Sequence, residues 1–589
     1  MTLVLTCLMI HDYSGPAGPI EQQRFAWFVG SEWFSAYEAA IEAEPCLPPP
    51  SVTITLQADA RPIANHLTRV RDEALQRDEE LRRQIEVHYA RASGDHLGRL
   101  LGVAPPRKPR ALLITSLFTT VLQHVTRDVS AALQNNGWEV ETLIEPASHH
   151  RVTGLALRHV LAELKPDLMF QLDHLRREHG DLIPKNLPYV CWVQDHLPNL
   201  TSGAAGKSIG LRDFVFTGMA PMYTGLYNYP RRQCIPLAKL TRVPTRPTRW
   251  PQDGDDLVYV SNASAEPQIL IEQLLDRCRG AADAEAFVRS CANHMVEIYR
   301  AGENLPTMYD VGRVVDAVHA SHTTVLLGPE QRQQVVHSLF HPLNDALYRQ
   351  QALTWVAQVA QERNLSFSIY GAGWDQHSKL TCFARGPVQY GADLEELTRR
   401  TRINLQIVPY FCLHQRLLDG LVAGGFFLVR RHPSDVLLLE MANFLDVHLD
   451  PTVSTVDDAR RTIAAEHRVD LEELLERCAC LCELAGPIDL VDWTRCCQQA
   501  QLIAPGREVL PHLEEVCFND AASLEAAIDR FISDAGGRDR IAAAQRQMVE
   551  RHHTYGSGLR RVFGRIGELI AEENQGSASP HQDRSRSAA

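Results

Sequence analysis

At 589 residues the chain is too long for a single hydrophobic core, and a soft allowance of about 150 residues per domain predicts two to four domains. Its 45% hydrophobic and 22% charged content is ordinary for a soluble globular protein. A net charge of −13 with no long basic run argues against duplex nucleic acid or an anionic membrane as partner, and no run approaches the roughly 18 apolar residues of a membrane span.

The opening MTLVLTCLMIHDYSG is apolar but lacks a positive leading segment, which predicts a buried strand rather than a signal peptide. Ser51–Asp59 reads as a strand, and a polar, charged helix is expected over about Pro62–Ala92. The proline-rich run Pro105–Arg110 marks a first boundary, which leaves 1–104 as an amino-terminal extension of unclear fold. Cysteines such as Cys191, Cys234, Cys291, Cys382 and Cys412 sit in apolar surroundings, so buried thiols and a cytoplasmic setting are expected.

From Ala111 short apolar runs alternate with helical periodicity. Strands are expected at Ala111–Thr115, Glu139–Ile144, Leu168–Leu172, Tyr189–Val193, Phe214–Phe216 and Gln233–Pro236, with helices at Val121–Leu133 and Leu155–Leu164. That alternation predicts a doubly wound parallel sheet over 111–240. Thr241–Asp256, rich in proline, arginine and aspartate, reads as a linker. A second α/β domain is expected over 257–573. It starts at Leu257–Val260, is interrupted by a helical block over about Glu266–Arg363, and resumes at Leu365–Tyr370 and Ile403–Val408. Further helices are expected at about Val456–Gln501 and Leu524–Glu572, and the polar tail 574–589 is expected to be disordered.

The second half carries the most suggestive stretch, His414–Arg430 (HQRLLDGLVAGGFFLVR). Leu417, Leu418, Leu421 and Val422 have helical spacing, and Gly424-Gly425 closes the helix before an apolar strand. A helix start flanked by His414 and Arg416 suits an anion such as a diphosphate. The competing reading is an exposed helix start, with Asp419 holding Arg416 across three residues. Upstream, LSFSIYGAGW (Leu365–Trp374) delivers Gly371 and Gly373 at a strand's carboxyl end, where a ligand backbone approach or a plain tight turn both fit.

In the first sheet Asp195 and His196 come just after a buried strand, as Asp173 and His174 come after another. Each is a candidate general base for an acceptor hydroxyl, against a turn or capping role. Gly203–Ser208 (GAAGKS) lacks the leading glycine of a phosphate-binding loop, leaving Lys207 as a loop cation. Cys478, Cys480 and Cys482 point around a helix rather than at one ion, and Asp253-Gly254-Asp255 lies in the linker, so no metal site is expected. His552-His553 reads as a helix junction or as packing against a cleft.

The run from IYGAGW through PVQYGADLEELTRRTRINLQI to HQRLLDGLVAGGFFLVR resembles the carboxyl-terminal domain of the spore-maturation-type (CgeB-like) glycosyltransferases, which have the GT-B fold of two facing Rossmann-like domains. The stretch VCFNDAASLEAAIDRFISDAGGRDRIAAAQRQMVERHHTYGSGLRRVF is similar to that family's closing helices, and Asp173–Asp195 to its amino-terminal domain. The resemblance covers about 111–570. It implies a hexosyltransferase-like enzyme that takes a sugar from a nucleotide-diphosphate sugar, without a metal or other cofactor, to an acceptor that is a protein, a glycan or a small molecule. Carried over, Gly371, Gly373 and Trp374 border the nucleotide, and His414 and Arg416 meet the diphosphate. Gly424 and Gly425 permit close packing behind them. The paired glutamates of many GT-B donor sites have no clear counterpart, Glu440 being the loose candidate. The rival expectations are a non-catalytic GT-B-like assembly protein and a nucleotide-sugar epimerase.

Overall fold

The computed structural model describes residues 7–8, 26–30, 52–56, 61–91, 94–101, 106–116, 120–145, 152–244, 253–322, 324–484, 488–503 and 509–577. The middle of the expected linker and residues 578–589 of the expected disordered tail lie outside them, while 574–577 belong to the helix Tyr555–Ser577. Residue contacts group the chain into two compact units. One holds residues up to Asp195 with Ser208–Val215 and the chain from Phe563 onward; the other holds His196–Lys207 and Phe216–Val562. The division thus falls away from the proline-rich segment.

The strands β1 (Cys7–Leu8), β2 (Ala26–Gly30) and β3 (Val52–Leu56) form a small mixed sheet, with β1 antiparallel and β3 parallel to β2. The charged helix runs from Arg61 to Ala90 and a second from Gly94 to Leu101. Leu81, Ile85, Tyr89, Leu97, Leu100 and Leu101 are buried, and Tyr89 Oη donates to the Pro166 carbonyl at 2.7 Å. Residues 61–101 are therefore built into the first unit rather than forming a separate extension. The helix looks polar in sequence because only one narrow stripe of it is apolar.

The first unit's sheet uses the parallel strands β4 (Arg110–Thr115), β5 (Glu139–Ile144), β6 (Leu168–Leu172) and β7 (Tyr189–Trp192) and the start of β8 (Asp213–Thr217), which the first unit holds as far as Val215, in the order β5-β4-β6-β7-β8. β6 and β7 are buried throughout, as strands covered on both faces are. The second unit contains the short β9 (Cys234–Pro236) and a five-stranded parallel sheet. That sheet comprises β10 (Leu257–Val260), β11 (Phe367–Tyr370), β12 (Ile403–Gln406), β13 (Phe427–Arg430) and β14 (Cys517–Phe518), ordered β11-β10-β12-β13-β14. In both sheets the first strand lies between the second and third. The connections leave it in opposite directions, and in such sheets the crevice for a ligand opens at the carboxyl ends of those strands.

The block between β10 and β11 is helical, as expected, and its two prolines sit where a helix tolerates them. Pro306 precedes the Thr307 cap of Met308–His319, and Pro342 occupies the first turn of His341–Glu362. The two-residue β14 has too little sequence to show a period, so nothing in the sequence announces it. Cys191, Cys234, Cys291, Cys412, Cys478, Cys496 and Cys497 are buried thiols, as expected, whereas Cys382 is exposed. Among the described residues no helix is long and apolar enough to cross a membrane, and no three His, Cys, Asp or Glu side chains are grouped to hold a metal ion.

Candidate functional site

The helix after β12 spans Gln415–Val422. Leu417, Leu418, Leu421 and Val422 are buried, so its apolar stripe fixes which face packs inward, and its position after β12 puts its start at the carboxyl edge of the sheet. His414 is the cap: its Nδ1 accepts from the Arg416 backbone N–H at 3.4 Å. The helix stops at Gly424, whose φ of +92° suits glycine. At Gly425 a Cβ would lie 2.4 Å from Thr398 Cγ2, so the chain packs closely at this position.

Arg416 reaches across to the end of β10. Its Nη2 donates to Ser261 Oγ at 3.0 Å, and its guanidinium carbon lies 5.7 Å from the centre of the Tyr259 ring. The second nitrogen, Nη1, and the Tyr259 hydroxyl are both buried without a hydrogen-bond partner. Such unmet groups are uncommon in native interiors and mark a place for water or a ligand. Arg349, paired with Asp345 at 2.8 Å on the helix His341–Glu362, adds a second guanidinium. Burial, and then the positive charges of Arg416, Lys239 and Arg349, push the His414 imidazole down to about 3. His414 is thus neutral near pH 7, and the site's positive charge comes from the other three. Burial likewise raises the Tyr410 hydroxyl, whose ring centre lies 5.6 Å from that of His414.

The loop before the helix is held from behind. Asp435, 1% exposed, accepts the backbone N–H of Cys412 at 2.8 Å and of His432 at 3.1 Å, and the Cys412 carbonyl accepts from the His414 N–H at 2.7 Å. Burial pushes the Asp435 carboxyl up to about 6 against those two hydrogen bonds.

The glycine loop joins the same corner. Gly371 has a φ of +140°, and a Cβ there would lie 2.0 Å from the Ser261 carbonyl oxygen. The backbone that this glycine lets approach is that of Ser261. Ala372 N–H donates to Asn262 Oδ1 at 3.0 Å, leaving Ala372 and Gly373 as the loop's exposed surface. Trp374 differs from expectation. It is 3% exposed, its Nε1 donates to the Ser261 carbonyl, and it stacks on His377 with ring centres 5.5 Å apart. Its aromatic area is spent on supporting the loop from beneath.

Asp419 also differs, since the Arg416 head goes to Ser261. Asp419 Oδ1 instead accepts from Thr241 Oγ1 at 2.5 Å and from Gln415 Nε2 at 2.9 Å. Gln415 Nε2 also donates to the Leu240 carbonyl, and Thr241 is bonded through its backbone to His553 and Tyr555. Thr241 is thereby tied to the helix start, and His553 belongs to the junction between the last two helices. Glu440 is engaged by Arg477 at 2.5 Å.

Of the acceptor-side candidates, Asp173 is buried, has a φ of +55°, and its Oδ1 accepts from the N–H groups of Gln194 (2.6 Å) and Asp195 (3.2 Å). Its carboxylate shapes the turn after β7. That turn exposes Asp195, the last residue of the first unit's long opening segment, whereas His196 is grouped with the second unit and its Nδ1 lies 3.0 Å from Tyr223 Oη. GAAGKS does form a five-residue helix, Gly203–Lys207, in which Gly206 packs against the Tyr227 carbonyl and Lys207 is exposed.

Sequence reasoning misses Tyr259, Ser261, Asn262 and Arg349. Ser261 and Asn262 were findable, because they come directly after the first strand of the second alternation. Arg349 carries only an i, i+4 pairing with Asp345, which reads as a solvated helix face.

Residues 349–477 match the model of the family described as glycosyl transferase-like. The matched segment begins at Arg349 and carries the glycine loop, the capped helix Gln415–Val422 and the Asp435 brace, so the match supports glycosyl transfer as the class of reaction. No curated protein matches the chain. Among solved structures, the chain aligns with the glycosyltransferase SnogD from Streptomyces nogalater at 12% identity and a TM-score of 0.27, over 77% of this chain and 99% of that one. It aligns with CalG4, the calicheamicin glycosyltransferase, at 9% identity and a TM-score of 0.26, over 80% of this chain and all of that one.

Proposed function

We propose that this protein is a GT-B glycosyltransferase of the CgeB-like kind, moving a sugar from a nucleotide-diphosphate sugar to a protein, glycan or small-molecule hydroxyl. The observation that carries the reading is the glycosyl transferase-like segment, which coincides with the positively charged corner around Arg416. In the reaction the anomeric carbon–phosphate oxygen bond breaks as the acceptor oxygen bonds to that carbon. The acceptor proton passes to a base, and negative charge grows on the departing diphosphate.

Arg416 and Arg349 stand where that charge can be met, Arg416 with an unpaired Nη1. Preorganised cations of this kind stabilise a leaving diphosphate without a metal. Neutral His414 sets the helix start and contributes no charge. Ala372 and Gly373 offer backbone for the nucleotide to approach. Asp195 is the first choice of base because its carboxylate is exposed, ahead of His196 and the doubly bonded Asp173. Buried thiols fit the cytoplasmic setting.

Incubation with donors labelled in the sugar tests the reaction. The reading predicts label moved to an acceptor together with release of nucleoside diphosphate. Recovery of an isomerised donor with no acceptor present would instead make the protein an epimerase.

A further inference from the structure

A cavity, open and about 780 Å³ in volume, lies in the first unit. It is lined by the last turns of the helix Arg61–Ala90 and by the segments entering β4 and β6. Arg107 donates to both carboxylate oxygens of Asp167 at 2.8 and 2.7 Å, and the Arg110 N–H donates to the same carboxylate at 2.9 Å. Arg107 and Asp167 precede their strands, so the cavity sits at the amino ends of β4 and β6. That is the opposite end of the sheet from Asp173 and Asp195, and ligands of the main reaction enter parallel sheets at the carboxyl ends.

Its wall is cationic in a chain of net charge −13. Arg83, Arg91 and Lys165 line it and are exposed. The two carboxylates in the lining are already engaged, Asp167 by Arg107 and Glu80 by Arg77 at 3.1 Å. His88, in the same wall, is held below its ordinary pKa by burial and then by Lys165, with Arg107 and Arg110 adding to the effect. Uncompensated positive charge is therefore concentrated here. The remaining wall is apolar, with Val87 53% exposed and Leu97 and Tyr89 buried beneath it. A space of this size admits a ligand of nucleotide size, and flexible Lys and Arg heads suit phosphate oxygens.

We propose that this cavity binds a phosphorylated small molecule of nucleotide size, at a site separate from the transfer chemistry. Phosphate groups would meet Arg83, Arg91 and Lys165, and the organic part would lie against Val87.

Hydrogen exchange of the full chain with adenosine diphosphate, and separately with inorganic pyrophosphate, tests this. The nucleotide is expected to protect amides of Leu81–Arg91 and to bind there more tightly than pyrophosphate. Arg83→Glu with Lys165→Glu should weaken that protection about ten-fold or more, while unliganded exchange and any protection at Ser261–Trp374 stay as in wild type. Arg91→Gln serves as an independent variant and should weaken it less. No protection of Leu81–Arg91, equal protection in the charge-reversed protein, or nucleotide binding no tighter than pyrophosphate would overturn the proposal. The result is independent of the glycosyl-transfer reading, because donor turnover is read separately.

Discussion

Arg416 and His414 sit two residues apart and do different work. Arg416 spans from the helix start to Ser261, and a guanidinium in that position cannot be replaced by a point charge without losing one of its two terminal nitrogens. Arg416→Lys is expected to keep the fold and lower kcat/KM about ten-fold to a hundred-fold, checked by steady-state kinetics with the identified donor. His414 acts as a cap, so His414→Asn should retain most stability, whereas His414→Ala should cost about 1 kcal/mol in denaturant unfolding. With its imidazole at about 3, His414 should give no inflection in the pH–rate profile between pH 5 and 9. An inflection that disappears in His414→Asn would contradict the neutral assignment.

Asp435 makes a prediction of the opposite sign to that of a salt-bridged carboxylate. Its carboxyl, near 3.8 when unfolded, stands at about 6 in the fold, so between these values the folded chain binds more protons than the unfolded one. Stability relative to Asp435→Asn should therefore fall as pH rises from about 4 to 6, by roughly 3 kcal/mol at most, and stay level above that. Urea unfolding of both proteins across this range checks it, and a difference that does not change with pH would sink the idea. That a chain keeps an ionised group at such a cost fits its place, bracing Cys412 and through it the cap of the candidate diphosphate helix.

At the scale of elements, the corner is made by three strand ends meeting: β10 with Ser261, β11 with Gly371, and β12 with the capped helix after it. Gly371→Ala meets both a left-handed φ and a backbone oxygen at 2.0 Å, and should cost about 2–5 kcal/mol and weaken donor binding. Gly386→Ala is the control, since its φ is +77° but its Cβ would meet nothing within 4 Å; about 1 kcal/mol is expected. Thermal melts of the two variants separate them.

The elements themselves are largely legible. Runs such as Leu168–Leu172 and Phe427–Arg430 are buried throughout, so apolar side chains fill them except at the buried polar positions Gln171 and Arg430. The helix at Gln415 is legible from its leucine spacing and glycine stop. The partners are not, because the Arg416–Ser261 and Asp419–Thr241 contacts join residues more than 150 apart in sequence. Trp374 is misread for the same reason: a tryptophan after glycines looks like a platform until the Tyr259 and His377 rings are seen beside it.

At the scale of the whole molecule, two sheets begin with the same strand order, the first strand lying between the second and third, and the candidate site residues of each follow the carboxyl ends of its strands. Alternation in the sequence reveals that plan. The unit boundary is not legible, since the return of the chain after Phe563 to the first unit is decided by packing and leaves no break in composition. The most direct test of glycosyl transfer at the Arg416 corner is binding of a panel of nucleotide-diphosphate sugars, monitored by thermal stabilisation and repeated on Arg416→Ala. One donor is expected to raise the melting temperature of the wild type, and Arg416→Ala, folded as before, to lose most of that shift and its turnover. Absence of binding by every nucleotide and nucleotide-sugar, or a shift unchanged in Arg416→Ala, would contradict it.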